Sequence, residues 1–102
     1  MRTDEVVIIG AGPAGITAAI QLKRYGIPFV LLEKERLGGL LWNANLVENY
    51  PGFPGGVSGP KLIGLMEKQM ERIGVEVTFE EVLRVANNPT TNHIKIKTQT
   101  KT

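Results

Sequence analysis

Near the start of the chain, Gly10-Ala11-Gly12-Pro13-Ala14-Gly15 joins a flexible turn to backbone amides that no large side chain covers. These residues directly follow the apolar run Val6-Val7-Ile8-Ile9 and precede Ile16, Ala18, Ala19, Ile20 and Leu22 at helical spacing. A second apolar run, Phe29-Val30-Leu31-Leu32, is closed by Glu33, eighteen residues after Gly15. Strand, glycine turn, helix, strand and acid in this order form the fingerprint of a dinucleotide site. Gly10 lets the chain turn sharply off the strand, Gly12 leaves room for a pyrophosphate against the backbone, and Gly15 lets the helix approach the sheet. Pro13 has no amide hydrogen and a fixed φ, which suits a first helical turn. The free amides and the positive end of the helix dipole then face the phosphates. Glu33 can accept hydrogen bonds from ribose hydroxyls and would repel a 2′-phosphate, so NADP is not expected at this site. The competing reading of Glu33 is a solvated carboxylate opening the charged run Glu33-Lys34-Glu35-Arg36.

The elements that position these residues follow from periodicity. A first strand is expected over 5–10, with its four apolar residues covered on both faces as in a parallel sheet. A helix follows over about 14–25, ended by Gly26 at a position that suits a left-handed cap. A second strand is expected over 28–33. Residues 34–57 then form a long connection rich in glycine and proline, and such connections are usually functional. Its large apolar residues, Leu40, Leu41, Trp42, Tyr50 and Phe53, argue against a floppy loop. Trp42 and Tyr50 suit either a flat ligand or an anchor to the sheet, with anchoring favoured for Trp42. Ser58 and Pro60 open a helix to about 73, with Leu62, Ile63, Leu65, Met66, Met70 and Ile73 on one face. The methionines read as core filler. Gly74 ends that helix, and Val75 to Phe79 reads as a third strand, parallel to the others through a right-handed crossover. Val82–Ala86 and Ile94–Thr98 read as two further strands of an antiparallel hairpin, in which Ile94, Ile96, Thr98 and Thr100 alternate with Lys95, Lys97, Gln99 and Lys101.

The 102 residues make one small domain at most, with an apolar fraction of 42% that is ordinary for a globular chain. The net charge of +2 comes from dispersed signs, so nucleic acid is not implied. With no cysteine, the sequence offers no disulfide, thiolate metal site or cysteine nucleophile, and the single His93, expected to be exposed, builds no metal site. No apolar run reaches membrane-spanning length and no signal peptide is visible, so a cytoplasmic location is expected. No residue stands out as a general acid or base; Glu48 reads equally well as a loop carboxylate.

Further residues add a resemblance. Ala19 and Gly26 extend the glycine motif at the longer spacing of two-dinucleotide flavoproteins. Gly38-Gly39-Leu40 and Glu48-Asn49-Tyr50-Pro51-Gly52-Phe53-Pro54 follow, and Ser58-Gly59-Pro60 opens the next helix. Over essentially its whole length the chain resembles the FAD-binding N-terminal segment of the thioredoxin reductase-like flavoproteins, the class II pyridine nucleotide-disulfide oxidoreductases. The Glu-Asn-Tyr-Pro-Gly stretch is the most specific part.

The resemblance implies an α/β, Rossmann-like FAD-binding fold. It has a parallel three-stranded sheet with helices, a small antiparallel hairpin or meander, and fewer strands than the family domain. It implies that Gly10, Gly12, Pro13, Ala14 and Gly15 hold the FAD pyrophosphate and Glu33 the adenosine ribose. Gly38, Gly39 and Leu40 would border the adenosine, pyrophosphate and ribityl region. Asn49 would stand beside the isoalloxazine, the backbone of Val82 would touch the adenine, and 34–57 would face the cofactor. Lipoamide-dehydrogenase-like and glutathione-reductase-like enzymes carry a cysteine pair directly after the double glycine; Leu40-Leu41-Trp42-Asn43 stands there in this chain. In thioredoxin reductases the redox cysteines lie in a later pyridine-nucleotide domain, so NAD(P)H would act in a longer parent or partner. Ferredoxin–NADP reductases of the same fold lack that cysteine pair and remain compatible. Missing strands would leave the first strand with an unpaired apolar edge, which invites a second copy or a complementing chain. The function expected is the FAD-binding part of an NAD(P)H-dependent oxidoreductase. The competing functions are a stand-alone FAD or ADP-nucleotide module without catalysis and a simple NAD-binding domain.

Overall fold

A computed structural model describes residues 4–100. Its elements are β1 (Val7–Ile9), α1 (Pro13–Arg24), β2 (Val30–Glu33), a short 3-10 helix (Gly39–Asn43), α2 (Gly59–Ile73), β3 (Thr78–Asn88) and β4 (His93–Thr100). The strands form one sheet in the order β1-β2-β3-β4. β1 and β2 run parallel, with Val7, Ile8 and Ile9 opposite Val30, Leu31 and Leu32. β2 and β3 are also parallel but share only the pairs Leu32–Thr78 and Glu33–Phe79. β3 then departs from β2 and pairs antiparallel with β4, with a register shift between Val82 and Arg84.

The strand expected over 75–79 and the one expected over 82–86 are therefore parts of one long strand that begins at Thr78. Its first residues continue the parallel sheet and the rest is the first arm of the hairpin. The apolar runs on either side of Glu80-Glu81 look like separate strands because those acids interrupt the pattern, yet a strand is indifferent to a polar pair when one face is wet. The hairpin itself is antiparallel as expected, His93 is exposed, and Lys101 of the alternation lies outside the described residues.

Burial on both faces holds for β2, where Val30, Leu31 and Leu32 are all buried, and not for β1. β1 lies at the sheet edge, its residues are half-buried or exposed, and Ile9 retains 53% of its surface. Periodicity cannot tell a central strand from an edge strand, because the covering neighbours lie far away in sequence.

The core is the cluster formed by Ala11, Ile16, Ala19, Leu31, Val47, Val57, Leu62, Met66, Met70 and Val75. α1 buries Ile16 and Ala19 and turns Ala18 to solvent. α2 starts where the Ser58 hydroxyl accepts from the Lys61 amide at 3.3 Å, and ends at Gly74, whose φ of +90° only glycine adopts freely. Leu62, Ile63, Met66 and Met70 are buried as expected; Leu65 is not, because the buried stripe of α2 is narrower than its apolar one. The connection 34–57 is ordered by the 3-10 helix and by a Val47–Val57 bridge with reciprocal bonds of 2.7 and 3.0 Å. Among the described residues no helix is long and apolar enough to cross a membrane.

Candidate functional site

The glycine turn joins β1 to α1 where the two elements nearly touch. The Gly10 amide donates to the Leu32 carbonyl at 2.7 Å, and Gly10 itself has a φ of +98°, a conformation that disfavours any side chain. A β-carbon on Gly15 would overlap the Gly10 carbonyl oxygen, so close helix–strand packing demands glycine there. Gly12 differs. Its φ is an ordinary −78° and a β-carbon would meet nothing within 4 Å. Nothing in the protein itself demands glycine at this position; the open space beside its backbone does suit a close-lying ligand. Gly12 is the N-cap of α1 and makes no side-chain cap bond, while Pro13 takes the first helical position. The amides of Gly12, Ala14 and Gly15 donate to no backbone carbonyl among the described residues, as expected for a first helical turn. Together they form a cluster of donors at the positive end of the helix.

Glu33 ends β2 beside this turn. Its Oε1 accepts from the Ala11 amide at 2.9 Å and its Oε2 from the Glu35 amide at 2.9 Å, so it is not a freely solvated carboxylate. Ala11 is fully buried, and its carbonyl accepts from the Gly38 amide at 2.8 Å. Gly38 has a φ of +92°, and a β-carbon on it would overlap the Ile63 side chain of α2. Gly10–Gly15, Glu33 and Gly38 thus form one hydrogen-bonded unit. Gly39 and Leu40 continue from it into the 3-10 helix, with Leu40 almost wholly exposed. Trp42 is an anchor: its Nε1 donates to the Leu37 carbonyl at 2.6 Å, and the Arg36 guanidinium lies 4.7 Å over its ring.

Asn49 and Val82 stand apart from that unit. Asn49 is exposed on an open recess of about 400 Å³ lined by Glu48 to Pro54. The Tyr50 and Phe53 rings, 6.3 Å apart, pack against the core beneath it. No backbone hydrogen bond among the described residues joins the recess directly to the glycine turn. Val82 is half-buried on β3, three residues past the Phe79–Glu33 pair. Two participants escaped the sequence reading. Ala11 carries no chemical side chain, and only its buried backbone makes it a hub. Gly59 lies so close to the Leu41 carbonyl that a β-carbon would overlap it; its place in Ser-Gly-Pro marks a helix start but not that approach. Among the described residues no acidic or histidine cluster suits a metal ion.

Comparison with known proteins agrees with this fold. Residues 4–102 match the family model described as pyridine nucleotide-disulphide oxidoreductase. The chain is 47% identical over 83 residues to NADPH-dependent thioredoxin reductase 3 of Arabidopsis thaliana, covering 78% of this chain and 16% of that protein. It is 44% identical over 81 residues to the thioredoxin reductase of Streptomyces coelicolor, covering 78% of this chain and 25% of that one. The crystal structure of Lactococcus lactis thioredoxin reductase in its FR conformation superposes with a TM-score of 0.81 at 37% identity, over 95% of this chain and 31% of that chain. The chain therefore spans a quarter or less of these two relatives and matches just under a third of the solved one.

Proposed function

The chain belongs to the pyridine nucleotide-disulphide oxidoreductase family, and from that premise we propose that it is the FAD-cradling part of a thioredoxin reductase-type flavoprotein. In this reading Gly10, Gly12, Pro13, Ala14 and Gly15 hold the pyrophosphate, and Glu33 accepts from the adenosine ribose. Gly38, Gly39 and Leu40 border the chain of the cofactor, Asn49 meets the flavin edge, and the backbone of Val82 meets the adenine. The observation that carries the reading is Gly12, whose missing side chain leaves open space next to three amides that donate to no backbone carbonyl among the described residues. That combination suits a pyrophosphate and has no use in packing.

When bound, the flavin supplies the hydride and electron chemistry. The residues of this chain bind and orient it. The Asn49 amide offers both a donor and an acceptor to a heterocycle edge. Reduction by a nicotinamide dinucleotide requires a second site, and the sequence carries one motif of the Gly10–Gly15 form. The NADPH in the name of the Arabidopsis relative supports that dinucleotide as the electron source of the whole protein.

The test is the absorption spectrum of the purified chain after incubation with FAD and desalting. Retained flavin absorption is the expected result, with no bleaching when NADH or NADPH is added to this chain alone. A folded but colourless protein would overturn the reading, and retention of NAD in place of flavin would make the chain a simple NAD-binding domain.

A further inference from the structure

The Glu33 carboxylate is already engaged by the protein itself. It accepts from Ala11 on one oxygen and from Glu35 on the other, both at 2.9 Å. Ala11 is held on its other side too, by the Gly38 amide at 2.8 Å. It sits between Gly10 and Gly12, neither of which has a side chain to fix the turn, and glycine has the widest backbone freedom of any residue. The Ala11 carbonyl and the Gly12 amide belong to one peptide unit, so the bond from Gly38 also sets where the Gly12 amide points, just ahead of the helical amides of Ala14 and Gly15. The two clamps on Ala11 therefore act together with the bond from the Gly10 amide to the Leu32 carbonyl to limit the freedom that the glycines introduce.

We propose that Glu33 is a positioning residue for the anion cradle, acting through the Ala11 amide, in addition to any contact it makes with a ribose. The proposal rests on the reading of the glycine turn as a pyrophosphate site. Both roles are compatible, because each carboxylate oxygen has a second lone pair for a hydroxyl. The two roles differ in sign. If Glu33 served the ribose alone, removing its negative charge from beside an anion site would leave pyrophosphate binding unchanged or tighten it. If Glu33 holds the turn, the same change weakens pyrophosphate binding, although pyrophosphate has no ribose. Glutamine separates the roles further. Its Oε1 can still accept from Ala11, but its amide nitrogen only donates and would face the Glu35 amide, another donor.

The first measurement uses the unaltered chain. Its Ala11 and Gly12 amides are followed by NMR hydrogen exchange. The clamped Ala11 amide is expected to exchange slowly and the Gly12 amide fast. An Ala11 amide that exchanges as fast as that of Gly12 would overturn the proposal. The second measurement titrates inorganic pyrophosphate into wild type, Glu33→Ala and Glu33→Gln, with circular dichroism to establish that each is folded. Glu33→Ala is expected to bind roughly fivefold more weakly, the equivalent of one ordinary hydrogen bond. Glu33→Gln should recover most of that loss and keep Ala11, but not Glu35, protected from amide exchange. Unchanged or tighter binding in Glu33→Ala would overturn the proposal. If that variant does not fold, the wild-type exchange rates and the exchange pattern of Glu33→Gln decide the matter. A wild type that binds no pyrophosphate would remove the cradle reading, while the Ala11 exchange rate still judges the clamp by itself.

Discussion

Every residue of the buried apolar cluster, from Ala11 to Val75, precedes β3, and the β3–β4 hairpin contributes none. In the hairpin Leu83, Val85 and Ile94 are exposed, and the strands are held by their own ladder and by bonds such as that from the Thr98 hydroxyl to Glu80 at 3.0 Å. Just two register pairs tie β3 to β2. The candidate site draws on both regions. Its phosphate end lies on the packed glycine turn and its Val82 on the hairpin. In the proposed reading the most demanding geometry, a backbone cradle, therefore lies on the part of the molecule with the most burial behind it.

If that division is right, the largest effect falls where packing and cradle coincide. Gly15→Ala puts a β-carbon into the Gly10 carbonyl oxygen and is expected to cost about 3 kcal/mol in urea unfolding. Gly12→Ala meets open space and should stay within about 0.5 kcal/mol of wild type. It should nevertheless lose FAD retention, since the added methyl fills the space kept for the pyrophosphate. Equal destabilisation by both substitutions would mean that the turn is a packing device throughout. The next effect compares the two regions directly. Leu62→Ala, in the core, should cost about 3 kcal/mol. Ile94→Ala, on the hairpin, should cost about 0.5 kcal/mol. A similar loss at both would show that the hairpin is packed as firmly as the core.

The packed region was also the more legible one in the sequence. Gly10, Gly15 and Glu33 have types and spacings dictated by local geometry, so the turn, α1 and β2 could be read from order alone. Ser58 and Gly74 bracket α2 for the same reason. Legibility ends where a residue acts through backbone or through distant neighbours. Ala11 carries the hub of the site without any informative side chain. β1 has the composition of a central strand; its unpaired edge is expected only through the family resemblance, and β1 does lie at the edge of the sheet. The fusion of two expected strands into β3 was hidden by Glu80-Glu81, which mark a change of partner from β2 to β4 and not a break in the strand. The Asn49 loop was singled out by likeness to a family; its exposed recess has no local signal of its own.

The smallest expected effect tests how independent the hairpin is. Arg84 stands directly opposite Lys97, and Lys95 lies on the same face opposite Ala86. These residues border a recess of about 300 Å³. Like charges directly across a strand pair are destabilising, so Lys97→Glu should stabilise the hairpin by about 0.5 kcal/mol. The gain should shrink at high salt, where exposed charges are screened. Global unfolding is the wrong measurement if the hairpin opens by itself. Amide exchange resolves the regions, because each segment reports its own opening free energy. In Lys97→Glu the β4 amides should exchange roughly twofold more slowly, the rate equivalent of that energy. Amides of α2 around Met66 and Met70 should not change. If the α2 amides slow by the same factor, the hairpin and the core open as one unit. Support for the Val82 end of the site would then be as firm as support for the glycine turn.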